Sequence, residues 1–221
     1  MKKIISLIIA ILLCLSLCVL AVSCGEIDGK DGGNDGKNDG KNDGGQNSQT
    51  AEKPSLDGLD LSQYVRFGEY KGMTFSASDT EPRGVTVWNR VLEETEIIAF
   101  PAGWIEYYEE QARASYRHIA ETTVSTYEEV LSTLGLTDEE IVSKARTDAK
   151  EDLVMAALIR KEGIVLTEEN INGLYDEYVK RYAIIGYTES YIRQNLHEHI
   201  LDAMLRDKVL EFLMINNNFT E

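Results

Sequence analysis

Past residue 86 the chain is punctuated by helix starts and helix stops, and what lies between them repeats with a helical period. That pattern leaves little room for a sheet. Ser125-Thr126-Tyr127-Glu128 and Thr137-Asp138-Glu139-Glu140 each fit a capping box, in which a hydroxyl and a carboxylate satisfy the amides orphaned in a first turn. Thr167 and Thr188 suit N-caps, and Pro101 suits a first helical turn, where its missing N–H is not needed. Gly135, Gly163 and Gly186 follow periodic runs, at the places where a left-handed residue ends a helix. Between these marks Ile105, Tyr108, Ala112, Tyr116 and Ile119 step by threes and fours. Val142, Ala145, Ala149, Leu153 and Ala156 do the same, as do Ile171, Leu174, Tyr175, Tyr178 and Tyr182. The last segment carries two adjacent stripes, Ile192, Leu196, Ile200 and Ala203 beside Leu201, Leu205, Val209 and Phe212, so its buried face must be wide. The spacing predicts helices over 86–96, 102–121, 126–134, 138–162, 168–184 and 188–216. Upstream, Tyr64-Val65-Arg66-Phe67 and Met73-Thr74-Phe75-Ser76 predict short strands around Gly68 and Gly72. The expected fold class is all-α: an elongated multi-helix domain over 87–221, after a short irregular or β segment over 56–86.

The other end of the chain reads differently. Met-Lys-Lys precedes an apolar run from Ile4 to Val22 with small residues at its close, the layout of a secretory signal. The run is long for a signal and near the lower limit for a spanning helix, so a cleaved signal, a retained transmembrane helix and a lipoprotein signal compete. Ala21-Val22-Ser23-Cys24-Gly25 resembles the lipobox of bacterial lipoproteins, with Ala21 where that motif more often has Leu. The resemblance implies that residues 1–23 are a lipoprotein signal peptide. Cys24 would then be the lipidation site, thioether-linked to diacylglycerol and carrying palmitate-type chains. A diacylated cysteine suffices for stable membrane anchoring. Either a lipid or a helical anchor, with Lys2 and Lys3 held inside, places the remainder on the extracytoplasmic face of the bacterial cell membrane.

Residues 24–55 then supply a lipidated cysteine and a tether. Their Gly, Asp, Asn and Lys cannot offset the entropy of ordering, so the composition predicts a disordered linker. About 30 such residues reach roughly 30 Å on average and roughly 100 Å at full stretch. Calcium loops are excluded by spacing. Counting from Asp31, Asp35 or Asp39, the third position is Gly33, Lys37 or Lys41 and the twelfth is Asn42, Gln46 or Thr50, where that loop needs Asp or Asn and then Glu.

Charge and cysteine usage exclude more. Loss of Lys2 and Lys3 with the signal moves the net charge from −16 to −18, which argues against nucleic acid and against lying flat on anionic lipid. Cys14 and Cys18 fall in the signal, so no cysteine pair remains and the exported domain must be held by its core. His197 and His199 are two apart, on different helix faces, and no phosphate-binding loop occurs; neither a metal, a nucleotide nor any other cofactor is expected. Acidic runs such as Asp138-Glu139-Glu140 stand at helix starts, where they complement the dipole, and no acid/base pair marks an enzyme.

"YEEVLSTLGLTDEEI", "IRKEGIVLTEENI" and "RDKVLEFLMINNNFTE" resemble, in order, the C-terminal domain of trigger factor. The shared elements are Gly135-Leu136-Thr137, Glu162-Gly163-Ile164, Thr167-Glu168-Glu169, and Lys208-Val209 with Phe212-Leu213; the helix pair joined at Phe100-Pro101 is similar to that family's entry into the domain. "YVRFGEYKGMTF" is similar to a segment that precedes the family's isomerase domain. The resemblance covers roughly 87–221 and implies a chaperone domain with protruding arms, related to the helical domains of SurA-type chaperones, that holds unfolded chains without ATP. Nothing corresponds to the family's ribosome-binding domain, so no ribosome partner is expected. Only "ASDTEPRGVT" stands where an isomerase domain would be inserted, too little for a domain.

The aromatic residues are the candidate client-binding groups. Trp104, Tyr107, Tyr108 and Tyr116 crowd one predicted helix, and Trp104-Ile105-Glu106-Tyr107-Tyr108 spreads bulky groups around most of its circumference, more than one core stripe can absorb. The sequence thus predicts a membrane-anchored, ATP-independent holdase for unfolded or newly exported polypeptides. The alternative is an adaptor that uses the same scaffold to bind one envelope partner.

Overall fold

A computed structural model describes residues 52–76, 82–184 and 186–220. Among them are seven α-helices and four short strands: β1 (Val65–Arg66), β2 (Thr74–Ser76), α1 (Arg83–Glu94), β3 (Glu96–Ile97), α2 (Trp104–Thr123), α3 (Tyr127–Leu134), α4 (Asp138–Glu162), α5 (Glu168–Ile184), α6 (Glu189–Asn195), α7 (His197–Ile215) and β4 (Asn218–Thr220). The all-α expectation is met, and the chain builds a base with two helical arms.

The base is one apolar core. Leu153, Val154 and Leu158 of α4, Val209 and Leu213 of α7, and Val87 and Val91 of α1 are each fully shielded from solvent. Burying a side chain of this size contributes about 1.5–3 kcal/mol apiece. Leu61 and Val65 belong to the same core, so the stretch before α1 is packed against the helices that follow it. Its strands pair with distant partners rather than with each other: β1 runs antiparallel to β3, and β2 runs parallel to β4 at the chain's other end. Gly68 is needed where β1 leaves this sheet, because a Cβ there would lie 2.5 Å from the Glu94 carbonyl oxygen.

The first arm is α2, α3 and the N-terminal half of α4. It buries Ala120, Val130, Leu131, Ile141 and Ala145. The second arm is α5, α6 and the start of α7, closed around Tyr178, Val179, Ile192, Leu196, Ile200 and Met204. The turn chemistry follows the sequence closely, with two shifts. The first capping box is Thr126 with Glu129 rather than the pair one residue earlier, while Thr137 with Glu140 forms as expected. Pro101 sits before rather than inside α2: Gly103, at φ 74°, redirects the chain and the helix begins at Trp104.

The long helix predicted over 188–216 is two helices. They meet at Leu196 (φ −116°, ψ 16°), where the Asn195 side chain donates to the Tyr191 carbonyl at 3.0 Å and competes with the backbone for that acceptor. The bend lets one stripe, Ile192 to Met204, face the second arm while Val209 and Leu213 face the base.

Polar contacts close both ends of this design. Asn217, buried in the base, accepts from the Met73 amide (2.9 Å) and donates to the carbonyls of Tyr70 (3.1 Å) and Leu213 (2.8 Å), tying the N-terminal segment to the end of α7. At the far end of the first arm, Arg113 grips Asp138 with two hydrogen bonds (3.0 and 2.8 Å), and Tyr127 donates to the same carboxylate at 2.8 Å. Those bonds, Arg113's first, hold the Asp138 carboxyl down at about 2 against an ordinary 3.8.

Two outcomes follow for stability. Asn217→Ala removes the side-chain partner of one buried and two half-buried backbone groups and should lower the unfolding free energy by about 1–3 kcal/mol in urea titration. Asp138 is a depressed carboxylate, so its contribution is complete above pH 4 and fades as the pH falls toward 2. Its side chain is 44% exposed, and water trims the benefit. Asp138→Asn should therefore be less stable than wild type at pH 7 and show a flatter decline between pH 4 and 2 in the same titration.

Candidate client-binding surfaces

α4 separates two concave surfaces. On one side an open groove of about 900 Å³ runs between the end of α1, β3 and the N-terminal half of α4. Its floor is apolar, formed by Leu92, Ile97, Phe100 and Val142, and its rim is charged, with Glu93, Arg146, Lys150 and Glu151 among the lining residues. Ile98, 45% exposed, stands next to that floor in sequence. The loop after α1 packs Ile97 and Phe100 against the base core while leaving part of each side chain to line the groove.

On the other side, the aromatic cluster at the start of α2 meets α4. Trp104 is 0% exposed, and its indole N–H donates to the Ala149 carbonyl at 3.0 Å. It is therefore buried at rest and lines no open groove, which corrects the sequence expectation: its position faces the α4 seam, and the Lys53 ammonium lies over its ring. Tyr108 is half-buried in the same seam, donates its hydroxyl to Asp152, and packs against Trp104 with ring centroids 5.5 Å apart. Burial pushes the Tyr108 phenol well up, with the Asp152 charge adding to it. Tyr107 stands edge-on to Tyr108 at 5.2 Å, half-buried, and its hydroxyl makes no hydrogen bond among the described residues. Tyr116, two turns further along α2, is also half-buried, and burial raises its phenol. These three rings keep part of their surface open, whereas Trp104 keeps none.

Lys53, Asp152, Asp202 and His199 complete this second surface. Lys53 Nζ is 2.5 Å from Asp152 and 5.3 Å from the centroid of the Trp104 ring. Burial raises the Asp202 carboxyl, with Lys53 opposing and Asp152 adding to the rise. Asp202 is nevertheless exposed to solvent. His199 is lowered by burial, with Asp202 and Glu198 pulling the other way. His197 pairs instead with the Tyr175 hydroxyl at 2.9 Å.

The arms carry a third kind of surface. Val124, at the end of the first arm, is 95% exposed and sits at φ 53°, a left-handed conformation that a β-branched residue seldom adopts. On the second arm Ile184 is 84% exposed, and Tyr187 and Tyr191 stack with centroids 5.2 Å apart and planes 9° apart. Leu174 and Tyr191 are 44% and 45% exposed. Sequence reasoning missed Val124, Ile184 and the groove floor. A valine where a helix stops, with no glycine beside it, was the available signal for the first.

The helical base and arms thus keep scattered apolar side chains in water among the described residues. The chain matches the family described as bacterial trigger factor protein (TF) C-terminus over residues 85–215, more than half its length, and it belongs to that family. Comparison with curated proteins and with solved structures gave no match. Cys24 and the apolar run before it lie outside the described residues. Among those residues no helix is long and apolar enough to cross a membrane.

The two tyrosines of the seam separate by a simple experiment. Tyr108→Phe removes a hydrogen bond to a charged carboxylate and should cost about 1.5–3 kcal/mol in urea unfolding. Tyr107→Phe should stay within about 0.5 kcal/mol of wild type.

Proposed function

We propose that this protein is a membrane-anchored, ATP-independent holdase that keeps unfolded or newly exported polypeptides soluble on the extracytoplasmic side of a bacterial membrane. The observation that carries the reading is the exposure of large apolar side chains along the arms, at Val124, Leu174, Ile184 and Tyr191, with Val85 and Ile215 exposed on the base as well. Each exposed group offers a weak contact. A chain that binds at several such points is held loosely and released without fuel. The groove floored by Leu92, Ile97, Phe100 and Val142 adds a place for a bulkier client side chain. Tyr107, Tyr108 and Tyr116 contribute ring edges on the opposite face of α4.

Family membership supports the chaperone part of this reading, and the lipobox-like Ala21-Val22-Ser23-Cys24 supports the anchor. The tether would let the domain sweep the space into which exported chains emerge. The acidic surface would keep it soluble and favour basic client segments, so client binding should weaken as salt is raised.

The test is suppression of aggregation of a chemically unfolded model protein by the full chain reconstituted in phosphatidylcholine vesicles, with no nucleotide added. Wild type should suppress aggregation at roughly stoichiometric amounts, and the triple variant Val124→Asn, Ile184→Ser, Tyr191→Ser should lose most of that effect while keeping its helical content. Unchanged suppression by the triple variant removes the arms from the mechanism. Absence of suppression by wild type removes the holdase reading altogether.

A further inference from the structure

Lys53 stands where the chain arrives from its Gly/Asp/Asn/Lys run, and its ammonium group does not point into free solvent. It rests 2.5 Å from Asp152 Oδ2 and 5.3 Å from the centroid of the Trp104 ring, while Pro54 packs beside Gly103 at the start of α2. An ammonium between a carboxylate and an indole face is a complete cation site. Yet little holds this occupant there. The Lys53 side chain is 47% exposed, and a half-exposed ion pair contributes about 0–1 kcal/mol.

The site is also larger than Lys53 needs. Asp202 of α7 lies within electrostatic reach of both Lys53 and Asp152, and makes no hydrogen bond or ion pair among the described residues. Asp152, by contrast, is already committed to Tyr108 and Lys53. One carboxylate of the site is thus matched by the resident lysine and one is left over. Tyr107 and Tyr108 stand at the same edge and offer ring surface to the aliphatic stem of a long basic side chain.

From this arrangement we infer that the Trp104 face, Asp152 and Asp202 form a seat for a lysine or arginine side chain of a bound polypeptide, occupied at rest by the chain's own Lys53. The inference rests on the holdase reading and names what one of its surfaces recognises. An incoming basic residue exchanges with Lys53, gains two carboxylates and a ring, and returns Lys53 to water, where that side chain regains its freedom. Because Lys53 sits at the exit of the run that leads back to Cys24, exchange also frees the first residues of that run from α2. An arginine suits the seat as well as a lysine, since its flat guanidinium can stack on the indole while pairing with Asp152.

The probe is a short fluorescein-labelled peptide containing lysine and tyrosine, titrated by anisotropy into the full chain in phosphatidylcholine vesicles, beside its glutamate counterpart. Lys53→Ala removes the internal competitor and should bind the lysine peptide roughly threefold to tenfold more tightly than wild type. Asp202→Asn should bind it several-fold more weakly, and the glutamate peptide should respond to neither change. Equal or weaker binding of the lysine peptide by Lys53→Ala overturns the seat, and so does an Asp202→Asn variant that binds like wild type. Both substitutions are at solvent-open positions, and matching thermal midpoints show that folding is not what moved. Aggregation suppression is read on the same samples: if wild type suppresses while the peptide affinities do not respond, the seat is wrong and the holdase reading stands; if wild type does not suppress, the holdase reading has failed.

Discussion

Two helices each serve two cores. α4 buries Ile141 and Ala145 inside the first arm and Leu153, Val154 and Leu158 inside the base; α7 buries Ile200 and Met204 inside the second arm and Val209 and Leu213 inside the base. Everything else in the molecule is arranged around this sharing. Because the two helices meet in the base and diverge beyond it, the arms cannot collapse onto one another without pulling α4 or α7 out of the core they share. The base core is therefore what keeps the concave surfaces open. The Asn217 clasp and the β2–β4 pairing extend it by fastening residues 70–76 to the end of α7, outside the span that the family match covers.

A recurring polar device joins elements in the base and in the arms alike. Tyr108 donates to Asp152, Tyr127 to Asp138, Tyr178 to Asp207 and Tyr70 to Glu162, each across a joint between elements. A tyrosine covers the seam with its ring and satisfies itself with a carboxylate at the rim, so the joint needs no deep core. This explains how an acidic chain with 11 tyrosines can build thin projections. It also explains why most of its tyrosines turned out to be half-buried rather than free.

The helices were legible because local chemistry decided them. Thr137, Thr188, Gly135 and Gly163 cap where hydroxyl and left-handed geometry require, and the middle of the α4 stripe, Ala145, Ala149 and Leu153, is buried as its period demands, while Val142 lines the groove and Ala156 is half-buried. The break at Leu196 was not legible, since a continuous apolar stripe says nothing about its two halves facing different cores. The partners of β1 and β2 were hidden for a similar reason: two- and three-residue strands carry no register information, and both partners lie far away in sequence. Of the aromatic cluster, sequence indicated crowding but not which ring wins the seam. Trp104 wins it through its bond to Ala149, leaving its three tyrosine neighbours partly open. Lys53 was illegible as a site residue because it looks like the last cation of a polar run.

The picture that results is a stiff base with two arms whose outer side chains meet water. Hydrogen exchange of the full chain, with and without an unfolded client, tests it most directly. The account predicts that amides of 153–158 and 209–213 exchange slowest and are indifferent to the client, while amides in the arms and along the groove exchange faster and are slowed when the client is added. Client-induced protection confined to the base, or none anywhere while the client is shown to be bound, would contradict it.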